Sequence, residues 1–187
     1  MKKNLEDYVL HFKNLIPKNI CEDVVKELDS VVWQEHSFYY HKDQEYNKET
    51  NKEFLYSTDP IPSNTQIMNF VWNAIKQYIE YFNFPWHAGW NGHSNLKFNK
   101  YIEGSSMKEH CDHIHDLFEG DRRGIPVLSV VGSLNEDYLG GEFIMFEDKE
   151  YIIKKGEAII FPSNFLYPHK VNLITKGNRF TYVSWVY

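Results

Sequence analysis

Two cysteines, Cys21 and Cys111, are all that 187 residues contain, and they stand far apart. So sparse a pair builds neither a disulfide framework nor a zinc knuckle. Long hydrophobic runs are missing too. No stretch approaches the ~20 consecutive apolar residues of a membrane-spanning helix. The opening MKKNLEDYVLHFKNLIP holds no uninterrupted apolar segment of signal-peptide length. Both absences point to a reducing, cytoplasmic setting without membrane attachment. Positive charge is in deficit: 20 Lys and Arg against 26 Asp and Glu leave a formal charge of −6. That excludes a general electrostatic grip on nucleic acid or anionic lipid, although a local basic groove is compatible with it. Repeats and low-complexity linkers are also absent, so residues 1–187 are expected to form one domain.

Aromatic side chains are abundant, at 17% of the chain, within an ordinary 42% hydrophobic content. A domain of this size buries about 70% of its unfolded surface, so a real core is available. In NICEDVVKELDSV (19–31), Ile20, Val24, Val25, Leu28 and Val31 or Val32 share one face at helical spacing. Residues 38–56 are polar and charged and read as a long loop or a hairpin, either a lid over a site or a solvated excursion. After the breaker run DPIP, Ser63 and Gln66 fit a capping box. Ile67, Phe70, Val71, Ala74, Ile75, Tyr78 and Phe82 then form an apolar stripe of core packing. Beyond FPWHAGWNG the period changes. SNLKFNKYI, IPVLSVVGSL, GGEFIMFED, EYIIKKG, EAIIFPS and RFTYVSWVY read as short strands separated by turn residues. Helices followed by closely spaced strands predict an α+β domain, mainly β, built as a sandwich or barrel with both helices packed on one sheet.

Chemistry concentrates in KEHCDHIHD (108–116), which reads as a metal site, a histidine-rich charged loop or a cysteine–histidine pair. On a strand, His110 and Asp112 face one way and Cys111 the other, so the imidazole and carboxylate can take adjacent positions on a metal. The spacing alone is weak, since His41-Lys42-Asp43 repeats it in the polar segment. Further along, His169 is the sole histidine after residue 116, placed at a strand edge, and Arg179 opens the final strand. That arginine points either to solvent or into a pocket that needs a cation. Two histidines and one carboxylate on one face of a barrel would leave three open metal positions, the facial triad of non-haem Fe(II) oxygenases. A 2-oxo acid could chelate two of these, and a planar guanidinium could hold its far carboxylate.

In this respect the sequence resembles the Fe(II)- and 2-oxoglutarate-dependent dioxygenases, nearest the prolyl 4-hydroxylase-like branch. The resemblance covers about residues 95–187. It is carried by YIEG followed by EHCD, by VLSVVGSLNEDYLGGEFIMF, and by GEAIIFPSNFLYPHKVNLITKGNRFTYVSWVY. It implies a double-stranded β-helix, or jelly roll, over 95–187, with residues 1–94 as a helical buttress and a lid segment. It implies Fe(II) held by His110, Asp112 and His169, and the C5 carboxylate of 2-oxoglutarate held by Arg179. Tyr101 would sit in the cosubstrate pocket, and Trp185 would line it from the same strand face as Arg179. Ser133 stands where the family often has a tyrosine, and its hydroxyl could still donate one hydrogen bond. His113 and His115 have no fixed family role; they read as rim residues or as substrate contacts.

The implied reaction converts 2-oxoglutarate and O2 to succinate and CO2 while a C–H bond becomes an alcohol, with ascorbate as an accessory reductant. The implied partner is a protein or peptide substrate with a prolyl residue. Other amino-acid side chains and small molecules are alternatives, as is a non-catalytic jelly-roll module. The position six residues after Arg179, where nucleic-acid demethylases commonly carry a second arginine, is Trp185. A zinc site from His110, His113 and His115 and a Cys111 hydrolase complete the alternatives. The oligomeric state is not legible in the sequence.

Overall fold

The computed structural model describes residues 3–42, 45–85, 92–112 and 126–187. Strand β1 (Leu10–Phe12), helix α1 (Lys18–Glu27), strands β2 (Gln34–Lys42) and β3 (Glu45–Ser57) and helix α2 (Asn64–Phe82) come first. Strands β4 (Lys97–Tyr101), β5 (Met107–His110), β6 (Leu128–Ser133), β7 (Leu139–Gly140) and β8 (Phe143–Met145) follow. The chain ends in β9 (Lys149–Tyr151), β10 (Ala158–Pro162), β11 (His169–Val171), β12 (Ile174–Lys176) and β13 (Arg179–Val186).

Seven strands form one sheet in the order β1-β10-β6-β13-β4-β3-β2, and β5-β11-β8-β9 form a second; β12 and β7 make a short ribbon. The pairings are antiparallel, and sequence neighbours repeatedly sit in different sheets. This is the jelly roll, or double-stranded β-helix, that the sequence implied.

Two-residue alternation divides the core. On β13 the helix-side face carries Phe180, Tyr182 and Val186, whereas Arg179, Thr181, Val183 and Trp185 look into a cavity between the sheets. On β6, Leu128 and Val130 face the helices and Val131 faces inward. The helices press Val24, Ile67, Val71, Ala74 and Ile75, each essentially without solvent exposure, onto that outer face. Phe54, Phe143, Phe161 and Ile174 fill the space between the sheets. The outer cluster makes the seven-stranded sheet a stiff platform, and the inner one leaves its cavity open on one side.

Helix α2 begins where expected but by another device. Ser63 makes no capping hydrogen bond; its backbone N–H and its hydroxyl both donate to the Glu27 carboxylate, at 2.9 and 2.8 Å. A charged acceptor at the end of α1 outcompetes a neutral capping box and ties the two helices together. Asn83, in the left-handed conformation at φ 48°, ends the helix.

The polar segment is a hairpin. β2 and β3 pair from Gln34↔Tyr56 to Lys42↔Glu45, and β3 joins the large sheet through Phe54↔Tyr101 and its neighbours on β4. The first 94 residues therefore supply strands as well as helices. β1 pairs with β10 at the opposite edge, Leu10 opposite Ile160.

Candidate metal centre

Strand pairing assembles the site. β11 runs antiparallel to β5 with His169 directly opposite His110, and their rings lie 4.3 Å apart between centroids. His110 Nδ1 lies 2.8 Å from the Lys108 carbonyl, and His169 Nδ1 lies 3.1 Å from the Tyr167 carbonyl. A carbonyl only accepts, so each Nδ1 carries the proton and each Nε2 presents a lone pair. Asp112, two residues beyond the end of β5, sets Oδ1 at 3.7 Å from His110 Nε2 and 3.9 Å from His169 Nε2. Two imidazole nitrogens and one carboxylate oxygen thus lie within 4.8 Å of one another on one side of the cavity. This donor set, with its second nitrogens already tied down, fits a divalent first-row metal in a facial triad.

Asp112 is held by further groups. Ser129 Oγ donates to Oδ2 at 2.6 Å, and Ser129 itself shares a 2.5 Å hydrogen bond with Ser163. The Trp185 side chain also favours the ionised carboxylate. Burial pushes the Asp112 carboxyl up, but the imidazoles of His169 and His110 and these hydrogen bonds outweigh it and hold it below the usual carboxylate range. The group is an anion ready to ligate.

At the far end of the same strands, Arg179 is 2% exposed, and its guanidinium lies 5.0 Å from the centroid of the Tyr101 ring. Burial pushes the Tyr101 hydroxyl up to about 12, with the nearby Arg179 working the other way. Among the described residues no carboxylate pairs with Arg179, and its Nε has no hydrogen-bond partner. Asn99 Oδ1, buried on the same wall, is likewise unmatched. Unmatched buried polar groups are costly, so this wall is built for a polar, anionic ligand.

The cavity, about 290 Å³, is lined by the triad, Arg179, Tyr101 and Trp185, and also by residues that motif reading passed over, including Lys97, Asn99 and His36. Burial pulls the Lys97 ammonium down to about 8, opposed by Asp112, and drives the His36 imidazole down to about 3, helped by Lys97 and His110. Period two would have found Lys97 and Asn99, counting back from Tyr101. Ser129 is legible only through register, opposite Trp185 on β13.

Ser133 does not line the cavity. It shares the inward face of β6 with Ser129 and Val131, but its hydroxyl donates to the Asn135 carbonyl at 2.9 Å. The hydroxyl of β6 that serves the site is that of Ser129, four residues earlier. His113 and His115 lie outside the described residues, as does Asp43 of the second His-x-Asp. Burial raises the Cys111 thiol, and the carboxylates of Asp112 and Glu109 add to it, which disfavours a nucleophilic thiolate.

A jelly roll carrying a His-Asp-His triad, with a buried arginine across one cavity, defines the class as a non-haem metal oxygenase fold. Residues 96–187 match the 2OG-Fe(II) oxygenase superfamily. A PKHD-type hydroxylase of Picosynechococcus sp. is 36% identical over 96 residues, covering 49% of this chain and 41% of the relative. The chain thus spans less than half the length of such curated relatives. A prolyl hydroxylase of Trichoplax adhaerens, solved with a hypoxia inducible factor peptide fragment, superposes with a TM-score of 0.68 at 14% identity, covering 96% of this chain and 83% of that one. A Pseudomonas putida prolyl-4-hydroxylase gives 0.61 at 17% identity, covering 96% and 91%. These two likenesses establish the fold. Among the described residues no helix is long and apolar enough to cross a membrane.

Proposed function

We propose that the protein is a 2-oxoglutarate-dependent dioxygenase that hydroxylates an unactivated C–H bond of a prolyl residue in a protein or peptide. The observation that carries this is the pairing, in one cavity, of the His110–Asp112–His169 triad with the ligand-seeking Arg179. The names of the similar hydroxylases support the prolyl assignment. The formal charge of −6 and the single inward arginine on β13 favour it over a nucleic-acid substrate.

Fe(II), when bound, supplies the redox chemistry that joins O2, 2-oxoglutarate and a C–H bond into succinate, CO2 and an alcohol. His110 and His169 offer Nε2 and Asp112 offers Oδ1 to it. Arg179 and Tyr101 fix the far carboxylate of 2-oxoglutarate, which orients the oxo acid end towards the triad. Ser129 keeps Asp112 from rotating. The apolar wall formed by Phe143, Val131, Val171 and Val183 limits water access. The β2–β3 hairpin, from which His36 and Ser37 line the cavity, would fold over a bound peptide.

Succinate release from 2-oxoglutarate, measured with a proline-rich peptide panel, tests the reading. Wild-type protein should form succinate with Fe(II) and peptide, and Asp112→Ala should not. Turnover that survives Asp112→Ala would refute the iron assignment.

A further inference from the structure

Lys97 is the cavity-lining cation that the dioxygenase reading leaves without a task. It starts β4, and period two puts Lys97, Asn99 and Tyr101 on the inward face. Register then fixes its distance from the other cation. Arg179 pairs with Tyr101, whereas Lys97 pairs with Val183, so the two are separated by four residues, roughly 13 Å along the strand at ~3.3 Å per residue. Arg179 and Lys97 therefore rise from different ends of the wall. Lys97 belongs to the Asp112 end, since Asp112 accepts a hydrogen bond from Ser129, which pairs with Trp185, two residues beyond Val183 on β13.

Charge balance points the same way. Among the described residues, Asp112 is the only carboxylate on the cavity wall. With iron bound, the metal, Arg179 and Lys97 carry four positive charges. Asp112 offsets one and 2-oxoglutarate two, which leaves one unmatched at Lys97. No described carboxylate lies within ion-pair distance of its ammonium, whose recorded close contact is the Tyr56 ring, 4.4 Å from Nζ to the centroid. A half-buried ammonium against an aromatic face is held in place but not neutralised.

We propose that Lys97 is a specificity-determining residue that docks a carboxylate of the substrate beside the metal ligands. This deepens the dioxygenase reading and rests on it. The substrate class is then a carboxylate-bearing amino acid or peptide. A single point-charge donor suits one carboxylate oxygen better than a phosphate, which favours several converging donors. The carboxylate can belong to the target residue itself or to an acidic neighbour in a peptide.

The test uses protein loaded with Fe(II) and 2-oxoglutarate under exclusion of O2, and binding is followed by calorimetry. N-acetylproline against N-acetylprolinamide reports on the target's own carboxylate. Acetyl-Asp-Pro-amide against acetyl-Asn-Pro-amide reports on an acidic neighbour. The acid of at least one pair should bind tenfold or more tighter than its neutral twin. Lys97→Met should abolish that preference, Lys97→Arg should retain part of it, and 2-oxoglutarate affinity should change less than twofold in both. Equal or absent binding of both members in both pairs would overturn the proposal, as would a preference that survives Lys97→Met. A tenfold loss of 2-oxoglutarate affinity in Lys97→Met would overturn it by assigning Lys97 to the cosubstrate. Failure of wild-type protein to bind 2-oxoglutarate at all would instead sink the dioxygenase reading beneath it.

Discussion

Ser129 Oγ donates to Asp112 Oδ2 at 2.6 Å, and that hydrogen bond decides which carboxylate oxygen is free. Oδ1 is left facing both imidazoles, at 3.7 and 3.9 Å. A carboxylate on a loop just past a strand end can rotate, so its use as a ligand depends on the group that stops it.

Ser129→Ala should therefore weaken metal binding while leaving the fold intact. Outer-sphere partners of this kind are typically worth about 10–100-fold in metal affinity. Anaerobic Fe(II) titration, or Mn(II) titration followed by EPR, measures it. An unchanged affinity would mean that this hydrogen bond does not position the carboxylate.

Arg179→Lys should impair cosubstrate binding despite keeping the charge. The guanidinium is planar and stacks on Tyr101, whereas an ammonium is a compact point donor on a flexible stem. Loss of one charge-assisted hydrogen bond of about 1.5–3 kcal/mol predicts a rise of roughly 10–100-fold in the KM for 2-oxoglutarate. Metal affinity measured without cosubstrate should not move.

Gly132→Ala should destabilise the platform. A Cβ there would meet Cζ, Oη and Cε1 of the fully buried Tyr182 ring at 2.1–2.4 Å, contacts no side chain tolerates. Overpacking a close-fitted core costs about 1–3 kcal/mol and occasionally more, and this clash belongs at the upper end. In a Tyr182→Leu background the same change should cost much less, because the struck atoms are gone. Denaturant unfolding of the four proteins in that cycle gives the coupling.

His36 predicts a pH dependence of stability. Burial is the largest cause of its depression from 6.5 to about 3, followed by Lys97 and His110. The ring stacks on Phe54 at 4.4 Å, and Phe54 stacks on Tyr101 at 4.2 Å. Between those two values the unfolded chain binds a proton that the folded chain does not. Stability from this site is thus fully present above pH 6.5 and is lost as pH falls towards 3. His36→Phe keeps the stack and cannot titrate, so its metal-free thermal midpoint should fall less steeply than wild type between pH 6.5 and 4. Parallel curves would show that His36 is not buried neutral.

Much of the site was legible because its signals are local or ordered along the chain. His110 and Asp112 are two apart, the spacing of one strand face, and His169 and Arg179 sit at strand starts marked by breakers, but which way Arg179 points is visible only in the structure. Apolar period gave α2 and its buried face. The capping box at Ser63 failed because its competitor, Glu27, lies 36 residues away. For residues 38–56 a hairpin was only one of two readings, since backbone pairing with β4 leaves no trace in a polar composition. Ser133 and Ser129 share a strand face, and only the neighbours they meet distinguish a hydroxyl that serves Asn135 from one that serves Asp112.

The sequence by itself determined the layered α+β architecture, and it marked His110, Asp112, His169 and Arg179 as candidates. Period, turn chemistry and residue type act over a few positions, and the chain cannot hide them. Tertiary structure alone decided the position of Arg179 and Lys97 at opposite ends of one wall, and the choice of Asp112 Oδ1 as the free oxygen. It also decided the burial that drives His36 neutral. Those depend on register and on which distant side chains meet across two sheets, and such distances are set by packing rather than by order along the chain.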